Sequence, residues 1–365
     1  MRIVFNTYHK TLAASMFYIA GLSRNKQIIF FDFENYAFYD VALFMTYPKD
    51  LEELKKAKLH NPKLKTAIID PRGSFIEPYI QYADFFILDS IEMKDFFAKY
   101  NKPMFTYYEY PDIPLVPKTH IQKEKIIIGY HGNKIHLTAM YPEITSALEL
   151  LGERYNIEFW ALYNIEHLGI WDIGVPKNIK VRHIQWSLDA YENHLSQVDI
   201  GLVPACMPVK KNIRKKSVVS RFFLDNEDDY IVKFKMPSNP GRIIIFAKLG
   251  VPVIADFLPS SIQFIKDGEN GFLAKSTGGW CYALEQLIIS HELRQSFADK
   301  MLKIYDEYFD FEVQNKKLID FLERLMEDKS NEAKAVEMKS YFCENLKFNN
   351  AFLYEALKRV KRKLS

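Results

Sequence analysis

KFKMPSNPGRIIIFAKLGVPVIADFLPSSIQFIKDGENGFL, residues 233–273, is the stretch whose reading decides the fold. It reads as a loop, a helix over 239–249, a tight Gly250-Val251-Pro252 turn, a buried strand over 251–255, a helix over 260–266 and a second turn at 267–271. Asp267-Gly268-Glu269-Asn270-Gly271 supplies the flexible, positive-φ positions of that second turn. Ser238 or Asn239 is a natural N-cap, and Pro240 fits the first helical position. Free backbone N–H groups at such a helix start form an anion site suited to a diphosphate. Lys233, Lys235 and Arg242 lie near enough in sequence to add positive charge.

Outward from this stretch the chain alternates strand and helix. Further strands are predicted at 125–130, 157–162, 179–183 and 199–204, with helices at 137–154, 188–197 and 280–289. Upstream, YPDIPLVPKTHIQKEK (110–125) carries three prolines and no apolar period, so it reads as an interdomain linker. The N-terminal third repeats the alternation, with strands at 2–6, 27–33, 41–47, 66–70, 85–88 and 104–107 and helix-period segments at 49–59 and 90–99. Runs such as IIFF and TAIID are apolar on both faces, as strands of a parallel sheet covered by helices must be. The expected architecture is α/β: two Rossmann-like, doubly wound domains facing a cleft, followed by a helical C-terminal extension. The domains are placed at 1–115 and 123–310, with helices and a basic tail over 311–365. Ligands in such sheets bind outside the carboxyl ends of the strands, which places the site in the cleft.

Composition narrows the classes. The 365 residues are 48% hydrophobic and 15% aromatic, which supports two cores and excludes a disordered chain. A formal charge of only +3 gives no global field for nucleic acid. Cys206, Cys281 and Cys343 are odd in number and far apart, against a disulfide framework or a zinc site and in keeping with a reducing cytosol. MRIVFNTYHK enters a strand directly, without the basic and apolar regions of a signal peptide, and no apolar run reaches the ~18 residues of a membrane span. The expected location is cytoplasmic, with a peripheral contact on the inner membrane face as a second reading.

The segment described first resembles the glycosyltransferases of family 4 and their relatives with the GT-B fold. The residues that carry the resemblance are Lys235, Ser238, Asn239, Arg242, the run Gly250-Val251-Pro252-Val253-Ile254-Ala255 and the turn from Asp267 to Leu273. Trp280, Ala283, Leu284 and Leu287 continue it, IGYHGN (128–133) is similar to the family's first strand and glycine turn, and WSLDAYENHLSQVDIGLVPA (186–205) is similar to the helix and strand before the donor loop. The resemblance covers about residues 125–325, while the N-terminal third shares architecture alone. It implies a nucleotide-sugar donor, a glycan or lipid-linked acceptor, transfer with retention, and no metal or other cofactor. One departure stands out. The family places two glutamates eight residues apart around the donor helix, and the aligned positions here are Pro237 and Ile245.

Each candidate residue has a plainer reading beside the functional one. Ser238, Asn239 and Arg242 also describe an ordinary capped helix with a surface arginine, and Gly132-Asn133 also describes a simple turn. The resemblance implies that Gly132, Asn133, Lys134, Lys235, Ser238, Asn239 and Arg242 hold the donor, and that Trp186, beside Gln185, meets its base. Asp70 and Arg72 end a strand in IIDPRG and so point toward the acceptor side of the cleft, where a structural ion pair is the plainer role. His131 is a polar group of the cleft or a satisfied structural histidine. No catalytic residue is identifiable. The loop 207–230 runs basic (Lys210, Lys211, Arg214, Lys215, Lys216, Arg221) and then acidic (Asp225, Glu227, Asp228, Asp229), a lid for an anionic acceptor or a solvated charge block. The tail bases Lys358, Arg359, Lys361, Arg362 and Lys363 suit a solvated helix end or a membrane surface.

The sequence therefore reads as a hexosyltransferase-like enzyme of polysaccharide biosynthesis, moving a sugar from a nucleotide-diphosphate donor to a glycan or lipid-linked acceptor. Two alternatives stay open. One is a non-catalytic nucleotide- or sugar-binding protein of the same fold. The other is a sugar-nucleotide epimerase, which needs converging acid/base carboxylates or histidines that the sequence does not reveal. A nicotinamide-dependent dehydrogenase is disfavoured because neither half opens with G-x-G-x-x-G.

Overall fold

The structure is a computed structural model that describes residues 1–116, 118–205, 209–210, 231–232 and 238–327. Its N-terminal part runs β1 (Ile3–Asn6), α1 (Ala13–Leu22), β2 (Ile28–Phe30), β3 (Val41–Met45), α2 (Pro48–His60), β4 (Lys65–Ile69), β5 (Phe85–Leu88), α3 (Ile91–Phe97) and β6 (Met104–Thr106). All pairings are parallel, in the order β2-β1-β3-β4-β5-β6. Every residue of β1, β3 and β5 is buried, which is why their sequences read as unbroken apolar runs. Pro48 starts α2, Asp50 lies in its first turn and Lys58 and His60 in its last, in line with the helix dipole.

The second part runs β7 (Ile126–His131), α4 (Lys134–Thr138), α5 (Glu143–Gly152), β8 (Ile157–Tyr163), α6 (Ile165–Leu168), β9 (Lys180–Gln185), α7 (Leu188–Asn193) and β10 (Ile200–Val203). After the short strands β11 (Val209–Lys210) and β12 (Ile231–Val232) come α8 (Gly241–Lys248), β13 (Val253–Asp256), α9 (Pro259–Ile262), β14 (Phe272–Ala274), α10 (Thr277–Ile289), α11 (His291–Ile304) and α12 (Phe311–Glu327). The large sheet is parallel, in the order β14-β13-β10-β7-β8-β9. Counted within this half, that is the dinucleotide-binding order 3-2-1-4-5-6, with its switch point between β7 and β10.

The sequence expectation differs from the structure in a few places. The helix foreseen over 137–154 is two helices, because Pro142 has no N–H to give and its ring crowds the preceding turn. Strand β14 was too short to show a period. Helix α1, AASMFYIAGL, is apolar nearly all round and shows little amphipathic signal. Of the loop 207–230, only Val209–Lys210 is described, paired antiparallel with Ile231–Val232. The rest of its charge block, Lys233, Lys235, Pro237, Cys206, Cys343 and the basic tail lie outside the described residues.

Among the described residues, two segments cross between the sheets. The first is the stretch after β6, where no described residue between 107 and 125 is helix or strand. Tyr107 and Tyr110 are buried there, and the Val116 amide donates to the Lys248 carbonyl at 2.8 Å. The second is the return from α11 into α12, which lies against the first sheet. Phe321 of α12 packs on Phe85 and Phe105, with ring centroids 5.7 and 5.4 Å apart. Asn315 donates to the Gly21 carbonyl (2.9 Å) and accepts from the Tyr107 hydroxyl (3.2 Å). A continuous core thus joins Phe5 and Leu43 of one sheet, through Tyr110 and Phe311 of the crossings, to Met301 and Val253 of the other part. Among the described residues no helix is long and apolar enough to cross a membrane.

Candidate functional site

A cavity of about 390 Å³ opens between the two halves, at the carboxyl end of β7 beside the switch point. Its walls come from α1 (Ala13, Phe17), the first crossing (Glu109, Tyr110), the turn after β7 (His131, Gly132, Asn133), the β8–α6 junction (Asn164, His167, Leu168), Trp186 and Tyr191, and the start of α8 (Asn239, Gly241, Arg242, Ile245).

Helix α8 begins at Gly241, one residue later than its sequence suggests, with Pro240 in the cap position. Asn239 Oδ1 accepts from the Gly241 amide at 3.0 Å, and the Ile243 and Ile244 amides both reach the Pro240 carbonyl. The helix start therefore offers fewer bare amides than the sequence predicts, and much of its positive character rests on the Arg242 side chain. Arg242 reaches into the wall with Nη1 buried and without a hydrogen-bond partner among the described residues. Gly132 makes room for it. Its φ of +141° is one that few side chains tolerate, and an added Cβ would sit 2.6 Å from the Tyr130 hydroxyl and 3.2 Å from Arg242 Cδ. Asn133 caps α4, its Oδ1 accepting from the Ile135 amide at 3.0 Å.

His131 is wedged edge-on against Tyr191 and Phe246, and its Nε2–H donates to the Arg242 carbonyl at 3.2 Å. Burial, and then the charge of Arg242, push its pKa down to about 3, so the ring is neutral. It belongs to the second half and buttresses the start of α8. Trp186 lines the cavity with Nε1 donating to the Tyr191 hydroxyl at 3.0 Å. Gln185 is turned away, its Oε1 accepting from the Ile165 and Glu166 amides. Lys134 does not line the cavity: its ammonium donates to the Leu168 and Ile170 carbonyls and holds that loop in place. Ser238 also lies outside the wall, its carbonyl accepting from the Ser260 hydroxyl at 3.2 Å.

Asp70 and Arg72 meet as the plainer reading anticipated, but in a larger cluster. Asp70, at φ +51°, accepts from Arg72 Nε, and Arg72 Nη2 donates to Asp89 at 2.5 Å and lies 3.9 Å from Glu109. Three carboxyl groups thus surround one guanidinium. Burial, followed by the repulsion of Asp89, pushes Asp70 up to about 7. Burial also raises Asp89, and burial with both aspartates holds Glu109 well above the carboxylate range. Sequence reasoning missed this convergence, because Asp89 and Glu109 stand 19 and 39 residues beyond Asp70 and meet only through sheet order. Glu109 alone of the three carboxyls lines the cavity. Among the described residues no group of His, Cys, Asp and Glu is arranged to hold a metal ion.

Two parallel six-stranded sheets with flanking helices, facing one another across this cavity, make the GT-B architecture. HepE of Anabaena, crystallised with UDP and glucose, matches with a TM-score of 0.58 at 13% identity, over 89% of this chain and 100% of that one. A glycosyltransferase from Rickettsia africae matches with a TM-score of 0.59 at 10% identity, over 90% of this chain and 98% of that one. Sucrose-phosphate synthase of Thermosynechococcus elongatus matches with a TM-score of 0.52 at 10% identity, over 79% and 74%. No protein-family model and no curated protein sequence matches the chain. At these identities the likeness is one of fold.

Proposed function

We propose that the protein is a glycosyltransferase that takes a sugar from a nucleotide-diphosphate donor bound in the cavity and delivers it to a glycan or lipid-linked acceptor. The observation that carries this reading is Arg242, a guanidinium with a buried, unpartnered Nη1 at the start of α8, in the wall of the interdomain cavity. A cation at a helix N-terminus recognises phosphate, and here it adjoins the switch point of a sheet with dinucleotide-binding order. The crystal of HepE with UDP and glucose supports the same use of the cleft by fold analogy.

In this reading residues 123–310 form the donor domain, residues 1–115 the acceptor domain, and residues 311–365 an extension. Gly132, Asn133, Trp186, Asn239 and Arg242 surround the donor, with Trp186 offering an indole face to the base. Lys134 supports that wall by holding the loop at Leu168 and Ile170. As the glycosidic bond loosens, negative charge grows on the departing diphosphate and the anomeric carbon becomes oxocarbenium-like. Arg242 and the positive end of α8 stabilise that charge without reorganising, because Gly132 and Tyr130 already hold them in place. The family 4 resemblance of residues 235–273 supports retention and independence from metal. It also supports a cytoplasmic enzyme.

The convergence of Asp70, Asp89 and Glu109 favours one second reading, a sugar-nucleotide epimerase, since such an enzyme needs buried acid/base carboxyls. A thermal-shift screen with UDP, GDP, ADP and CMP and their sugar conjugates, with Arg242→Ala as control, tests the donor site. Incubating the conjugate that binds in D₂O without acceptor separates the two chemistries. An epimerase exchanges a carbon-bound hydrogen and changes the sugar, whereas the transferase leaves the carbon skeleton untouched.

A further inference from the structure

Glu109 is the one carboxyl of its cluster that lines the cavity. It sits on the first crossing, in the N-terminal part, yet its main chain abuts the start of α8: a Cβ placed on Gly241 would lie 2.7 Å from the Glu109 carbonyl oxygen. Its side chain is nine-tenths buried and forms part of the cavity wall. Oε1 faces Asn239 Nδ2 at 3.5 Å and Arg72 Nη2 at 3.9 Å, while Oε2 is buried and has no partner among the described residues. A buried carboxyl oxygen without a partner is costly to leave so, and it marks a place where a ligand completes the bonding.

The neighbours decide what that ligand is. Asp70, Asp89 and Glu109 share the one guanidinium of Arg72, so the cluster has no spare positive charge to offer a phosphate oxygen. Phosphate is drawn instead to Arg242, which lines the same cavity. A group that hangs from a phosphate at Arg242 and fills the space toward Glu109 must be neutral and rich in hydroxyls. A carboxyl held with its proton can donate to a hydroxyl oxygen as well as accept from one, and the raised pKa of Glu109 keeps that proton in place. On α8 itself the wall continues with Ile245, which offers a sugar no polar contact.

We infer that Glu109, reaching across from the N-terminal part, is the group that holds the hydroxyls of the donor's sugar through its Oε2. The inference rests on the donor-site reading given above and adds to it the residue that distinguishes a sugar conjugate from the bare diphosphate. The carboxyl does this work from the crossing strand, so the sugar contact exists only when the two halves are together.

The test is calorimetric, on the full chain. UDP, GDP and ADP are titrated first, each against its glucose conjugate, with the wild type, Glu109→Gln, Glu109→Asp and Glu109→Leu. The wild type is expected to bind one conjugate more tightly than its diphosphate. Glu109→Gln, which keeps a donor and an acceptor at full length, should retain that preference. Glu109→Asp and Glu109→Leu should lose about tenfold in conjugate affinity with the diphosphate affinity unchanged. The unchanged diphosphate titration also certifies the fold, and Glu109→Asp serves where the leucine variant does not fold. A wild type that binds a diphosphate with no preference for its conjugate, or an aspartate variant that keeps the preference, overturns the inference and leaves the donor site standing. A wild type that binds none of the probes overturns both.

Discussion

Asn239, at the entrance to α8, donates its side-chain amide to Asp89, at the end of β5 in the opposite sheet, at 3.2 Å. The bond ties the candidate donor helix to the carboxyl cluster of the N-terminal part. Two more contacts run along the same seam. The Ser260 amide donates to Glu92 at 3.0 Å while its hydroxyl meets the other oxygen, and Tyr108 donates to Gln263. The contact between halves beside the cavity is thus polar, fit for opening and closing rather than for permanent burial.

Replacing Arg242 with alanine should weaken binding of the recognised nucleoside diphosphate by about ten- to a hundredfold, the loss of a charge-assisted bond. Because Nη1 has no protein partner to orphan, the ligand-free melting temperature should move little, within about 1 kcal/mol of stability. Equal ligand-induced shifts in the variant and the wild type would remove Arg242 from the site.

The buried titratable groups divide into two opposed sets. Asp70, raised to about 7, keeps in the fold a proton that the unfolded chain releases near pH 4. Its contribution to stability is therefore full below about pH 4 and lost as pH rises toward 7. His131, lowered to about 3, contributes above about pH 6.5 and loses that contribution as pH falls through its folded value. The melting temperature of Asp70→Asn, relative to the wild type, should rise between pH 4 and 7, and that of His131→Gln should fall. Each slope approaches about 1.4 kcal/mol per pH unit at most. Parallel curves for either variant would refute that assignment.

An alanine at Gly241 should open the seam. Its Cβ would press on the Glu109 carbonyl oxygen at 2.7 Å, backbone that cannot swing aside, so the crossing must shift. The expected cost is about 1–3 kcal/mol in urea unfolding, together with weaker nucleotide binding. Wild-type behaviour in both measurements would show that the crossing does not press on α8.

Ser260→Ala deprives the buried Glu92 of its hydroxyl donor, and a loss of about 1–3 kcal/mol should appear as a lower urea midpoint. The double variant Ser260→Ala with Glu92→Gln should recover part of it, since the amide carries no charge to leave unpaired. If the double variant is as unstable as the two single losses added together, the pair is not coupled.

Much of the fold was legible because parallel strands buried on both faces announce themselves. FFIL at 85–88 and VALFM at 41–45 fall where their sequences place them. Helix α8, whose apolar run sits between Pro240 and Gly250, was nearly as plain. Part of the candidate cavity was legible too: the turn after β7, Trp186 and the α8 start all line it. What did not show were contacts set by tertiary approach. Lys134 looked like a phosphate ligand but is satisfied by two carbonyls of a loop more than 30 residues away. Glu109 lay hidden just before the segment that reads as linker, and nothing local distinguishes it from a solvated acid. Its main chain lies against Gly241, 132 positions later, a closeness set by tertiary approach.

The two crossings have a mechanical consequence. A pair of lobes joined by one flexible strand can swivel in any direction, so each closure must search over orientation. Here the chain passes over once at 107–125 and returns at 305–311, where Tyr110 and Phe311 lie stacked with centroids 4.1 Å apart. Two tethers side by side act as the pins of a door: they allow one swing and resist twist and slide. Any swing of the lobes would then keep one register, with Glu109 and Arg242 in the wall of the same cavity.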